Sequence, residues 1–543
     1  MRQVPKNDLD EITIDGYSLI LNDLVHIARI PCKTARISNE AIAKMNKSRA
    51  WVEQVQRTGK PVVYGVNTGF GSKSGISINK ENLIELQQNL IMSHSAGTGE
   101  PFPIDVVRAA MLLRANTLVR GYSGIRPEIV KTLLLMLERN VVPWIPSQGS
   151  VGASGDLAPL AHLALVLNKI EIDEPERDGK AYFYDSEEKS WSLMSGRDAM
   201  KKAKIPTIKL EAKEGLALTN GTQISTALLS LTLHDAIELT KIADIGMAMS
   251  FEALLGISSA FRPEIHRLRP HPGQIKTAEN IRRLTQGSQL LDSHAQKVQD
   301  AYSLRCHPQV LGAVRDNLRH IQKIVDIEMN STNDNPIILT EIQDENKAIA
   351  GGNFHAQPIA FASDLLSIVL CEIGSIAERR IFRLSDSNLN EGLPSFLISN
   401  SGLESGLMIA QYTAASIVSE NKSLAHPASI DSIPTCENQE DHVSMAPVAA
   451  RKAKQILENI HKILAIELMF AAQALDLRLR SGKIEKTSEF FGEGTNEAYK
   501  VIRQKVKYRE NDRPIYPDIE QIVNLIKGND LLATVEERVG ELN

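Results

Sequence analysis

The chain predicts a mainly α protein: an elongated bundle of long central helices with a small mixed α/β N-terminal part. Three observations predict it. Segments 221–256, 355–384, 405–425 and 447–480 are apolar-rich and each runs for more than twenty residues. The last of them holds no Gly and only an opening Pro, and helices this long that are apolar on more than one face bury themselves among their peers. Before about residue 205, by contrast, short strand-like pieces alternate with shorter helices. We divide the chain there, into a mixed part (1–205) and a long-helix part (206–543); 543 residues suffice for such a division.

Taken in order, "PVVYGVNTGFG" (61–71) reads as a strand running into a Gly-rich loop. "DVVRAAMLLRANTLVRG" (105–121) and "RPEIVKTLLLMLERN" (126–140) read as helices, the second opened by Pro127 near its first turn. Residues 168–206 are polar, charged and aperiodic, and read as an exposed excursion. The long helices follow. No solenoid repeat and no low-complexity segment interrupts them.

Composition excludes several classes. With 43% apolar and 23% charged residues the balance is that of a soluble globular protein. The net charge is −5 and Lys and Arg are scattered, so no basic stripe announces a nucleic-acid partner. Cys32, Cys306, Cys371 and Cys436 lie far apart, which suggests neither a zinc site nor a disulfide framework. Apolar stretches such as 361–380 carry Asp364 and Glu372, as core helices do and membrane spans do not. The opening residues contain no apolar leader core, so the expected compartment is the cytoplasm.

Chemistry is expected where long helices are interrupted by polar loops, such as "LTNGTQ", "VQDAYSLRCHPQ", "GGNFHAQP" and "CENQEDHVSM". The oddest interruption is "GSVGASGDLAPLAH" (149–162), four small residues between two apolar stretches. Ala-Ser-Gly alone is weak, since it appears by chance in about one chain in five of this length. One reading is a helix start, with Ser154 or Asp156 as cap. The other is chemical. The Gly155 nitrogen is unhindered and can add to the Ala153 carbonyl, closing a five-membered ring. Loss of one water from the ring and a second carrying off the Ser154 hydroxyl leaves an exocyclic methylene. The product is 4-methylidene-imidazol-5-one, an electrophile built autocatalytically from Ala153, Ser154 and Gly155.

The chain resembles the histidine and aromatic amino acid ammonia-lyases over nearly its whole length. The resemblance rests on "YGVNTGFG", "NLIMSHSAGTGEP", "GSVGASGDLAPLAH", "EGLALTNGT", "QDAYSLRC", "DNP", "GGNFH", "SENKSLAHPAS" and "NQEDHVSM", in order. The first dozen residues and the excursion near 168–206 do not match. The resemblance implies that the Ala-Ser-Gly ring is the prosthetic group. It also implies a homotetramer whose active sites draw on three subunits, with Tyr64 and Ser154 expected from different chains.

It implies roles residue by residue. Tyr64 matches the catalytic base that removes the β-proton; with a reference pKa of about 10, that role needs donors to stabilise its phenolate. Tyr302 matches a tyrosine near the reacting centre. Arg305 is the expected partner of the substrate carboxylate, because a guanidinium fork fits it in two parallel hydrogen bonds. Asn220 and Gln299 match polar residues around the ring and substrate, Phe354 an aromatic wall, and Asn335 a loop organiser.

Substrate choice turns on Ser93-His94, a pair typical of the histidine enzymes and shared by some tyrosine aminomutases. It turns also on Glu420, a carboxylate expected beside the ring pocket, where it suits an imidazole and would stay unpaired against a phenyl ring. His307, after "LRC", departs from the family's pattern. The expected reaction is non-oxidative deamination of L-histidine to trans-urocanate and ammonia. The alternatives are a tyrosine or histidine 2,3-aminomutase, another aromatic amino acid ammonia-lyase, and an inactive helical scaffold of the same fold.

Overall fold

In the computed structural model, residues 11–169, 174–480 and 490–543 are described. The first ten residues, and 170–173 inside the polar excursion, lie outside them. The long-helix expectation holds. The four expected helices span Gln223–Ala253, Gln357–Ser385, Met408–Leu424 and Ala446–Arg480, and a further long helix, His307–Met329, stands where none was expected. At 1.5 Å per residue, the 35-residue Ala446–Arg480 helix is about 50 Å long. It packs chiefly against Gln357–Ser385 and Gln223–Ala253. One apolar core runs through the molecule from Ile14 to Leu542. The Gln357–Ser385 helix is long and apolar enough to cross a membrane by length and composition, yet 67% of its most apolar stretch is buried against its neighbours in this chain.

A charged layer ties these helices together. Arg380 and Glu467, both fully buried, form a two-pronged ion pair, with Nη2 to Oε2 at 3.0 Å. Ser250 donates to the same carboxylate at 3.2 Å. A second pair joins Arg315 to Asp244 at 2.8 Å, and Asn280 adds a third bond at 2.8 Å. His307 bridges the two pairs: its Nε2 meets Asp244 at 2.9 Å, and Arg380 Nη1 approaches its Nδ1 at 3.4 Å. That pattern requires a neutral ring with the proton on Nε2. The residue that departs from the family's pattern therefore has a structural task at the first turn of its helix.

The N-terminal part differs from expectation in two places. Residues 61–71 form turns and a short 3₁₀ segment, Gly71–Lys73, instead of a strand. Side chains satisfy the backbone there: Asn67 Oδ1 accepts from Val63 N at 2.7 Å, its Nδ2 reaches the Pro61 carbonyl, and Thr68 Oγ1 accepts from Gly65 N. With its amides paired locally, the segment needs no ladder. The polar excursion, read as aperiodic, contains a hairpin, Lys180–Asp185 with Ser190–Ser195, that extends the strand Val141–Pro143 in an antiparallel sheet. A cross-strand Tyr184–Trp191 pair, centroids 5.1 Å apart, stabilises it. Helices Ile104–Leu118 and Pro127–Glu138 stand where expected, the second with Pro in its first turn.

The charged layer makes stability depend on pH. Burial, with Arg380 and Arg315 alongside, pushes His307 down to about 4 against the opposing pull of Asp244. Unfolded, His307 binds its proton near pH 6.5. Its contribution is therefore full above pH 6.5 and lost as pH falls toward 4, by about 3 kcal/mol. His307→Gln keeps a donor for Asp244 and an acceptor for Arg380 without titrating. Urea unfolding of both proteins from pH 7.5 to 4.5 should show the wild type losing stability relative to the variant below pH 6.5. Buried Glu252 and Asp156, held up at about 7 and about 6, shift the pH dependence the other way in both proteins and cancel in the difference.

Candidate active site

The Ala153-Ser154-Gly155 loop sits on a cradle that only small residues allow. Gly152 and Gly155 have φ of +69° and +77°. A Cβ on Gly155 would lie 2.1 Å from the Gly221 carbonyl oxygen. This contact is a backbone pairing of Gly155 with Gly221, and Asp156 N donates to Gly221 O at 2.7 Å. Asp156 stands at the N-cap position of helix Leu157–Leu167, yet its carboxylate does not cap that helix. It accepts instead from the backbone N and the hydroxyl of Ser225, both at 2.8 Å, in the first turn of Gln223–Ala253. On the other side, Ser444 donates to the Gly152 carbonyl at 3.0 Å and Met445 N to Val151 O at 2.9 Å.

Ser154 is half-buried at the tip of this loop. Its carbonyl accepts from Asn220 Nδ2 at 3.0 Å, and its hydroxyl donates to Glu440 Oε1 at 2.7 Å. Thr435 holds the other oxygen of Glu440 at 2.8 Å. Asn220 Oδ1 is buried and has no partner. The loop thus fits the expected ring: glycines where backbone must touch backbone, a donor on the Ser154 carbonyl, and a polar group beside the hydroxyl to be lost.

Two more expected residues lie within electrostatic reach of Glu440. Tyr64 is half-buried, and its hydroxyl accepts from Gly71 N at 3.1 Å. Burial pushes its pKa up; the Gly71 amide opposes this, while Cys436, Glu440 and Asp334 push the same way. His94 ends helix Leu83–His94, with Ser93 Oγ 3.1 Å from its Nδ1. Burial lowers its pKa; the Leu90 carbonyl and Glu440 pull it back. Tyr64 and Ser154, expected from different chains, thus both lie within electrostatic reach of Glu440 in one chain.

That carboxylate is Glu440, which the sequence reading passed over in favour of Glu420. Glu420 is exposed on helix Met408–Leu424, and among the described residues no hydrogen bond or ion pair joins it to the Ser154 cluster of the same chain. Spacing along a helix does not reveal which glutamate a loop 286 residues from Ser154 delivers to it. The usable signal was the position of Glu440 inside "NQEDHVSM", a polar loop next to the longest helix.

Gln299, Tyr302 and Arg305 form a second group. Gln299 is exposed, and Tyr302 is 71% exposed. Arg305 lies over the Tyr302 ring at 4.6 Å and spends only Nε, on the Asp300 carbonyl at 2.8 Å. Its two terminal amino groups make no hydrogen bond among the described residues. Arg380 fastens this turn to the charged layer through the Ser303 carbonyl at 3.3 Å. Phe354 is half-buried, next to His355, whose Nε2 lies 3.3 Å from the His442 carbonyl. Asn335 accepts from Gly351 N at 2.9 Å, tying the loop before Phe354. Among the described residues no hydrogen bond, ion pair or ring contact joins Gln299, Tyr302 or Arg305 to the Ser154 cluster in the same chain.

Known proteins share this arrangement of chain. The family model described as aromatic amino acid lyase matches residues 19–504. A histidine ammonia-lyase from Gloeobacter violaceus is 49% identical over 538 residues, 98% of this chain and 99% of that one. The crystal structure of histidine ammonia-lyase from Trypanosoma cruzi superposes with a TM-score of 0.86 at 39% identity, covering 98% of this chain and 96% of the other. Tyrosine aminomutase from Streptomyces globisporus superposes at 0.88 with 36% identity, covering 98% and 100%.

The cradle makes a direct prediction. Gly155→Ala places a methyl against the Gly221 carbonyl at a φ that disfavours any side chain. The backbones must part, and stability should fall by about 2–4 kcal/mol. Thermal melting beside Gly59→Ala, a left-handed glycine with nothing within 4 Å of its would-be Cβ, checks this. Gly59→Ala should cost about 1 kcal/mol.

Proposed function

The chain belongs to the aromatic amino acid lyase family, and from that premise we propose that it deaminates L-histidine non-oxidatively, releasing trans-urocanate and ammonia. The observation that carries this reading is the Ser154 loop itself, its hydroxyl on Glu440 and its carbonyl on Asn220, with Tyr64 and His94 within electrostatic reach of the same carboxylate. The relatives named histidine ammonia-lyase, matched from end to end, point to the same substrate. The 4-methylidene-imidazol-5-one formed from Ala153-Ser154-Gly155 supplies the electrophile that makes a poor amine leaving group departable.

The chain's own residues do the rest. Asn220 holds the Ser154 carbonyl, and with it the reactive loop, in a fixed orientation. When Ser154 gives up its hydroxyl as water, Glu440 Oε1 loses its donor and becomes free to accept from substrate. His94 and Glu440 then present the mixed donor and acceptor set that an imidazole satisfies and a phenyl ring leaves unpaired. Arg305 takes the substrate carboxylate with the two amino groups it leaves open. Tyr64 removes the β-proton. With one backbone donor and a raised pKa in the single chain, it needs added positive charge to act as a base. Arg305 from a neighbouring subunit and the substrate ammonium provide it on assembly and binding.

This division of residues supports a homotetramer with shared sites. The packed helices Gln357–Ser385 and Met408–Leu424 expose Phe361, Ile368, Ile409 and Tyr412, each about half exposed, as an apolar face that association would cover. Gln299, Tyr302 and Arg305 then complete the Ser154 cluster of another subunit. We place the assembly in the cytoplasm, where its four free cysteines stay reduced.

The direct test offers histidine, tyrosine and phenylalanine to the purified chain. Histidine alone should give rapid turnover, with urocanate and no β-histidine. Ser154→Ala should fold and assemble normally, lose the near-ultraviolet absorbance of the ring, and lose activity by several orders of magnitude. Normal turnover by Ser154→Ala sinks the reading.

Complementation tests the sharing of sites. Co-expressed Ser154→Ala and Arg305→Met, each inactive alone, should recover activity in mixed tetramers, because an intact Ser154 cluster meets an intact Arg305 across the interface. Ser154→Ala with Tyr64→Phe should recover none, since both changes fall in one cluster.

A further inference from the structure

Arg114, in the middle of helix Ile104–Leu118, is fully buried. Among the described residues no carboxylate lies within ion-pair distance of it. All its hydrogen bonds go to neutral oxygens: Nη1 to the Asn220 carbonyl at 2.9 Å and to Gln223 Oε1 at 2.5 Å, and Nη2 to the Ala217 carbonyl. Its Nε is buried and without a partner. Its nearest charge partners, Asp334 and Asp156, act on it through space without touching it, and a buried cation with no carboxylate in contact is costly. Burial pushes its pKa down to about 10, so it stays charged at neutral pH. The carbonyls it holds close the short helix Glu214–Thr219, whose C-terminal end carries partial negative charge.

Those carbonyls belong to the turn that grips the Ala-Ser-Gly loop. Asn220 donates to the Ser154 carbonyl. Gly221, at φ +153°, pairs with Gly155, and a Cβ on Gly221 would lie 2.3 Å from Arg114 Nη1. Arg114 therefore packs behind Gly221 while Gly155 packs in front of it. We propose that Arg114 is the positioning residue of ring formation, holding the Asn220-Gly221 turn so that the Gly155 nitrogen stays on the Ala153 carbonyl and the Ser154 carbonyl stays on Asn220. The proposal rests on reading Ala153-Ser154-Gly155 as self-processing.

The chemistry balances within the chain. The Gly155 N–H adds to the Ala153 carbonyl, forming the C–N bond, and the resulting hydroxyl leaves with a proton as one water. The Ser154 Cα–H and Cβ–OH then leave as a second water, forming the methylene double bond. Nothing is oxidised or reduced. The Asn220 carboxamide on the Ser154 carbonyl favours loss of the adjacent Cα proton, and Arg114 acts on that step only through Asn220.

The test reads the ring itself. Wild type, Arg114→Lys, Arg114→Leu and Arg108→Lys are purified as assembled proteins. The loss of two waters is followed over time by mass spectrometry of the loop peptide, with near-ultraviolet absorbance alongside. Arg108 is the control: it is equally buried and also bonds only neutral oxygens, those of Ile27, Ile30, Leu137 and Asn140 among them, away from the loop. Losing charged hydrogen bonds on the Asn220 turn should slow ring formation about tenfold or more. Folded Arg114→Leu should accumulate the uncyclised mass, Arg114→Lys should fall between, and Arg108→Lys should be fully cyclised. Full cyclisation of folded Arg114→Leu at the wild-type rate overturns the proposal. So does equal loss in Arg108→Lys, or failure of Arg114→Lys to fold, since each makes Arg114 merely structural. A wild type that never loses the two waters defeats the reading of the loop instead.

Discussion

The buried charged layer of Arg380, Glu467, His307, Asp244 and Arg315 is the constraint on which the rest of the molecule depends. Apolar helices can slide along one another at little cost, because one ridge of Leu and Ala resembles the next. Charges cannot: breaking a buried pair costs about 3–5 kcal/mol. The layer therefore sets the axial register of Gln223–Ala253, His307–Met329, Gln357–Ser385 and Ala446–Arg480 together. The same Arg380 holds the Ser303 carbonyl. The orientation of Arg305, two residues on, is thus tied to the core of the bundle rather than left to a loop.

The Ser154 cluster depends on that register in turn. Its parts arrive from separate places: Ser154 before helix Leu157–Leu167, Asn220 at the end of Glu214–Thr219, His94 at the end of Leu83–His94, and Glu440 just ahead of Ala446–Arg480. Each sits at or beside a helix end, where backbone groups are unpaired and a side chain can be aimed. Two glycines in contact, Gly155 and Gly221, lock the loop to the turn. Around Glu440 burial pushes the pKa of Tyr64 up and that of His94 down.

Much of this was legible in the chain. The four long helical runs declared themselves, because the apolar pattern of a helix is a local property. The Ala-Ser-Gly loop did so too, because small residues mark a close backbone approach wherever they occur. Two local readings failed for local reasons. At 61–71 the side chains of Asn67 and Thr68 took the amides that a strand would have offered to a neighbour. At 180–195 the short aromatic runs of "KAYFYD" and "SWSLMS" were masked by the surrounding charges.

By itself the sequence determined the long helices and singled out the Ala-Ser-Gly loop and Tyr64, His94, Asn220 and Arg305 as candidates. Only the tertiary structure decided that Glu440, not Glu420, faces Ser154, that Tyr64 and Ser154 share one chain's cluster, and that His307 and Arg114 serve buried networks. The reason is physical. Secondary structure follows from interactions a few residues apart, whereas the partner of a carboxylate or guanidinium is chosen by packing among elements a hundred or more residues distant. The two glutamates are alike in chemistry, and the fold alone separates them.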